Sequence, residues 1–128
     1  PLLPLLLLAC EPTLTEIIVD QHHLRVEIAA TEKARASGLM HRKEMAKNTG
    51  MLFIYDDYKP RNFWMQDTHI ALSIAFADRT GKIVKIANMA PLSTATTQSL
   101  YPAKYALEVN QGWFDSHNIK VGAFIVLP

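Results

Sequence analysis

A chain of 128 residues is long enough for one domain that buries roughly two thirds of its unfolded surface. Hydrophobic residues make up 49% and charged residues 20%, which excludes disorder throughout. Thirteen Lys+Arg against twelve Asp+Glu leave a net charge of +1, too weak a field for a nucleic-acid partner, and one cysteine excludes an internal disulfide and every multi-cysteine zinc pattern.

Residues 1–10 are almost wholly apolar and end in Ala9-Cys10. They are far short of the ~20 residues a membrane span needs, and they read as the end of a secretory signal segment. Leu7-Leu8-Ala9-Cys10 resembles the lipobox of bacterial lipoproteins, which makes Cys10 the expected lipidation site. Several acyl chains on one terminus anchor far more firmly than one. Glu11 follows where an aspartate would favour inner-membrane retention. The expectation is therefore an extracytoplasmic protein of the bacterial cell envelope, lipid-anchored, at the outer membrane or in the periplasm of a Gram-negative cell. A cleaved signal peptide with an incidental cysteine is the competing reading. Residues 1–15 are assigned to signal remnant and tether, and 16–128 to a single globular domain.

Glu16 to Ala29 predicts two strands around a turn at Asp20-Gln21-His22. Ile17, Ile18 and Val19 are β-branched, and Leu24, Val26 and Ile28 alternate with polar neighbours. Thr31 predicts an N-cap for a helix that stops at Gly38. His41 to Thr49 is polar and predicts a turn or a short helix. Met51 to Tyr55 predicts a buried strand closed by Asp56 to Pro60, and Phe63 to Ile70 the next strand. Leu72, Ile74 and Phe76 alternate with small residues. Asp78-Arg79-Thr80-Gly81 predicts a hairpin turn returning through Lys82 to Met89. Pro91 to Ser99 predicts a loop, Pro102 a helical turn, Tyr105 to Asn110 a strand, Gly112 to His117 a short helix and Phe124 to Leu127 a last strand. The fold class is α+β and β-rich. A small antiparallel β-barrel or strongly curled sheet is expected, with one or two short helices at an end.

A set of short motifs carries a resemblance. These are Gly38-Leu39-Met40-His41-Arg42, Gly50-Met51-Leu52-Phe53, Phe63-Trp64-Met65-Gln66-Asp67-Thr68, Asp78 with Gly81, Leu107 to Trp113, and Gly122. In order and spacing the chain resembles the domain of unknown function 192 family over residues 24–127. The resemblance implies a compact β-rich domain, often exported, with no established activity. It also marks departures. Asp67 stands where the family usually has Asn, Ser73 where it commonly has Asp, and Ala123 where it usually has Asp.

In a strand over 63–70, Phe63, Met65, Asp67 and His69 share one face, and Trp64, Gln66, Thr68 and Ile70 the other. Asp67 and His69 suit a general-base pair or two metal ligands, or else mark the exit of the strand to solvent. Trp64 beside Gln66 and Thr68 suits a sugar ring, or else Trp64 fills the core. Arg42 suits an anionic ligand, or else pairs with a loop carboxylate such as Glu108. Glu108 and Asn110 share the face opposite Leu107 and Val109, and a carboxylate buried there needs a partner. Tyr55, Tyr58, Tyr101 and Tyr105 line a groove or snorkel at the core edge. Scattered histidines, adjacent His22 and His23 included, give no zinc pattern, so neither metal nor cofactor is expected.

Three functions compete. The leading one is a non-enzymatic envelope module that binds a polar small molecule, a glycan or an envelope protein through Arg42, Trp64, Asp67, Thr68, Glu108 and Asn110. The second is a hydrolase with Asp67 or Glu108 as general base and Arg42 stabilising negative charge. It requires those groups to converge in one pocket. The third is a structural or accessory envelope-assembly role, with an Arg42–Glu108 brace.

Overall fold

Turn chemistry sets the strand order. Asp20 and Gln21 take positive φ values of 45° and 71°, the left-handed pair of a two-residue hairpin loop, and join β1 (Thr15–Val19) to β2 (His22–Ala29). In the computed structural model, which describes residues 12–128, the chain continues through α1 (Glu32–Ser37), β3 (Thr49–Phe63), β4 (Leu72–Ala77), β5 (Ile83–Met89), β6 (Thr97–Asn110), α2 (Trp113–Ser116) and β7 (Ile125–Val126). The strands form one curled sheet in the order β5-β4-β6-β3-β2-β1-β7. Among the described strands only β2 and β3 run parallel, and α1 lies in the connection between them. The Thr31 hydroxyl accepts from Ala34 N at 3.1 Å, and Gly38 ends α1 with φ 48°.

Asp78 builds the β4–β5 turn. Its Oδ1 accepts from Thr80 N at 2.9 Å and Lys82 N at 3.1 Å. Gly81 follows with φ 87°, and a Cβ there would collide with the carbonyl oxygen of Ile125. This close approach curls the sheet onto itself. Ile83 N donates to Ala123 O, Gly122 N to Ile83 O and Ile125 N to Gly81 O, each at 2.8 Å, so the segment leading into β7 ties the β1 edge to the start of β5.

Both faces of the sheet are covered. Ile17, Val19, Leu24, Val26, Leu52, Ala75, Leu107 and Val109 pack on one face with Trp113 and Phe114 of α2. Met51, Phe53, Leu72, Ile74, Phe76 and Ala106 pack on the other beneath Leu39, Met65 and Ile70. Every residue of β4 is buried for this reason, its larger side chains on the second face and alanines on the first. Glu108 alternates with Leu107 and Val109 and so falls on the second face.

Five expectations need correction. Residues 63–70 are not a strand: β3 ends at Phe63, and the chain turns at Gln66–Asp67, where Asp67 has φ 52°. β3 does not close at Asp56 but continues to Phe63, and β6 begins at Thr97, inside the expected loop. Pro102 starts no helical turn; it lies in β6 opposite Pro60. Two prolines facing each other cannot donate to the ladder, and Ser99 repairs the gap by accepting from Arg61 N and donating to Tyr101 O, each at 2.7 Å. Finally, β1 begins at Thr15, within the stretch expected as tether.

Candidate functional site

The second face of the sheet carries a cavity of about 220 Å³ between the strands and their cover. Its walls come from the end of α1 and the following turn (Arg35 to Met40), from Phe53, Tyr55, Asn62 and Phe63 of β3, and from Trp64 and Thr68 in the covering loop. Glu108 of β6 is at its floor. The Glu108 side chain is 4% exposed, and it has no hydrogen-bond partner among the described residues. Burial alone pushes its carboxyl from 4.5 up to about 8, so the acid holds its proton at neutral pH.

The aromatic walls are fixed by packing. Phe53 and Phe63 meet edge to face with centroids 5.0 Å apart, and Phe63 meets Phe76 at 5.7 Å. The Arg61 guanidinium lies 3.7 Å from the Tyr55 ring centroid and that of Arg35 at 5.2 Å. Burial raises the Tyr55 hydroxyl above its ordinary pKa, with the two arginines opposing. Arg61 is committed elsewhere, and Arg35 in part. Arg35 donates to Ala30 O at 2.8 Å and Ile54 O at 2.9 Å. Arg61 donates to Ala103 O at 3.0 Å and to Asp57 Oδ1 at 2.7 Å. The Arg61 and Lys59 side chains hold the Asp57 carboxyl down to about 2.

Of the six residues expected to bind ligand, the fold brings Trp64, Thr68 and Glu108 to this cavity. Trp64 is 49% exposed and stands at the rim. Thr68 is buried and donates to Gln66 O at 3.0 Å, leaving oxygen lone pairs for a ligand. Arg42 goes elsewhere: it grips Glu27 through both carboxylate oxygens, a contact that raises its own pKa. The expected Arg42–Glu108 brace is thus replaced by Arg42–Glu27. Asp67 and His69 are exposed outside the cavity, and the Asp67 carbonyl accepts from His41 N at 2.7 Å. Asn110 donates to Met45 O at 3.0 Å, also away from the cavity. The convergence of Asp67, Arg42 and Glu108 that the hydrolase reading required does not occur. Among the described residues no three His, Cys, Asp or Glu side chains gather as a metal site. Cys10 lies outside the described residues.

Sequence reasoning missed Arg35, Asn62, Phe53 and Phe63 as wall residues. Phe53 and Tyr55 share a strand face with Met51, which pairs with Glu108; that alternation was readable, but the pairing was not.

A curled, two-faced β-sheet with one acid-floored cavity defines the class, and comparison places it. The model of the domain of unknown function 192 family, described as Uncharacterized ACR, matches residues 15–127. The chain belongs to this family. Its fold is similar to that of a proposed transcription regulator from Sinorhizobium meliloti 1021, with 30% identity and a TM-score of 0.86 over 91% of this chain and 95% of that one. It is also similar to a protein of unknown function from Novosphingobium aromaticivorans DSM 12444, with 28% identity and a TM-score of 0.85 over 98% of this chain and 90% of that one. No curated protein matches the sequence.

Proposed function

We propose that this domain is a non-enzymatic binding module, and that the cavity floored by Glu108 and rimmed by Trp64 takes a small polar ligand. One observation carries the reading: the carboxyl of Glu108, an otherwise buried residue, faces the cavity with no side-chain hydrogen bond among the described residues. A carboxyl so placed is free to bond a ligand hydroxyl or N–H. The half-exposed indole of Trp64 offers a flat apolar surface for a ring. A volume of about 220 Å³ is below the ~300–1,000 Å³ of sites for drug-sized ligands, which favours a single small ring or one residue of a glycan. The regulator description of the Sinorhizobium relative is not carried over as DNA binding, because a net charge of +1 supplies no phosphate-binding stripe.

A thermal-shift screen of glycan fragments and small polar metabolites, repeated with Trp64→Ala, tests the reading. The expected result is a compound whose stabilisation is lost in Trp64→Ala while Arg42→Ala retains it. A panel in which no compound stabilises, or in which Trp64→Ala keeps every response, overturns it.

The envelope placement belongs to the same proposal. Cys10 is the lipidated residue, and the tether holds the domain at a membrane surface. Mass spectrometry of the native protein is expected to find an acylated cysteine at the mature terminus; an unmodified terminus refutes the anchor.

A further inference from the structure

Resting on the reading of the cavity as a binding site, we infer that the ligand group seated against Glu108 is a protonated amine, and that the ligand is an amine-bearing ring or chain no larger than one hexosamine. Two independent features point there. The floor carries an acid, 4% exposed, with no cation or hydrogen-bond donor on it among the described residues. The walls carry four aromatic rings, from Phe53, Tyr55, Phe63 and Trp64, of which Tyr55 already holds the Arg61 and Arg35 guanidiniums. Aromatic faces attract cations, most strongly when the cation is desolvated, and a carboxylate largely removed from water is stabilised by an opposite charge beside it.

The charged groups around Glu108 leave that place open. On α1, Arg35 lines the cavity; its Nη1 is held by the carbonyls of Ala30 and Ile54, and its charge remains on the wall. On β3, Tyr55 is the titratable wall residue, and Arg61 behind it pairs with Asp57, which Lys59 shares. The β4 strand carries no titratable side chain. In the covering loop, Asp67 and His69 are exposed outside the cavity. A neutral ligand would leave Glu108 a protonated acid. An ammonium ligand converts it to a carboxylate: the acid proton leaves for solvent, and the ion pair R–NH₃⁺···⁻O₂C–Glu108 forms in its place. Binding is therefore coupled to proton release.

Calorimetry of the full chain at about pH 6.5, in two buffers of different ionisation enthalpy, reads both features at once. The probes are glucosamine, N-acetylglucosamine, glucose and n-butylamine. The expected result is binding by at least one amine, about tenfold or more tighter than by either neutral sugar, with about one proton released per ligand. Glu108→Gln, checked for folding by its melting curve, loses amine binding. Neutral sugars binding as tightly as glucosamine without proton release would overturn the amine inference and leave the binding module standing. Failure of both amines to bind would also overturn the inference, and the wider screen above then judges the module alone.

Discussion

Gly50 and Glu108 are in backbone contact: a Cβ at Gly50 would stand 2.5 Å from the carbonyl oxygen of Glu108. The β3 and β6 backbones therefore approach closely next to the acid, where only a residue without a side chain fits at position 50. Val109 crowds the same spot from 3.1 Å. Gly50→Ala is expected to lose about 1–3 kcal/mol by overpacking, read as a lowered denaturation midpoint, and to weaken ligand binding even where the fold survives.

The pH dependence of stability should carry the signature of Glu108. Its folded pKa of about 8 lies above the ordinary 4.5, so between these values the folded state binds a proton that the unfolded state has released. Stability from this group is complete below about pH 4.5, falls as pH rises towards about 8, and levels off above. Urea titrations across that window are expected to show the decline in the wild type and its removal in Glu108→Gln, with the variant the more stable of the two at high pH. A wild-type profile that Glu108→Gln leaves unchanged would refute this.

Arg42 and Glu27 should behave as a unit. The pair is bidentate and only partly shielded, with Arg42 36% exposed and Glu27 15%. A double-mutant cycle with Arg42→Ala and Glu27→Ala is expected to give a coupling of about 1 kcal/mol. The domain remains folded without Arg42, contrary to its behaviour as a brace on the buried acid.

Arg61 should be far less tolerant. It is 8% exposed, it stacks on Tyr55, and it bonds both strands of the β3–β6 extension through Asp57 and Ala103. Arg61→Ala removes a buried charged side chain from carbonyls it satisfies, with an expected loss of about 3–5 kcal/mol. Asp57→Asn should be milder and acid-dependent. The depressed pKa of Asp57 means that its contribution is present above about pH 3.8 and fades as pH falls towards about 2.

What the sequence disclosed followed local rules. The Asp78–Gly81 turn, the Thr31 cap and the Asp20–Gln21 hairpin are each set by residues within a few positions of one another, and all three were readable. Glu108 stood out because an acid between Leu107 and Val109 breaks an apolar strand. Its surroundings did not stand out, because they come from α1, β3 and the 64–71 loop, and only long-range pairing brings these together. Arg42 illustrates the same limit. Nothing nearby tells whether a guanidinium will reach Glu108 or Glu27, since the parallel β2–β3 pairing that carries Glu27 past it is a property of the whole sheet. The covering loop shows the reverse case. Trp64 and Thr68 do reach one cavity, as a strand's alternation predicted, although no strand is there; the turn at Gln66–Asp67 delivers them instead.

The clasp between residues 81–83 and 122–125 has a kinetic consequence. The strand β7 follows β1 to β6 in sequence, so synthesis delivers it after them. Until it arrives, β1 and the start of β5 keep open backbone edges, and such edges invite pairing with another molecule. A chain whose β7 has not docked is therefore expected to mispair more readily than the finished fold.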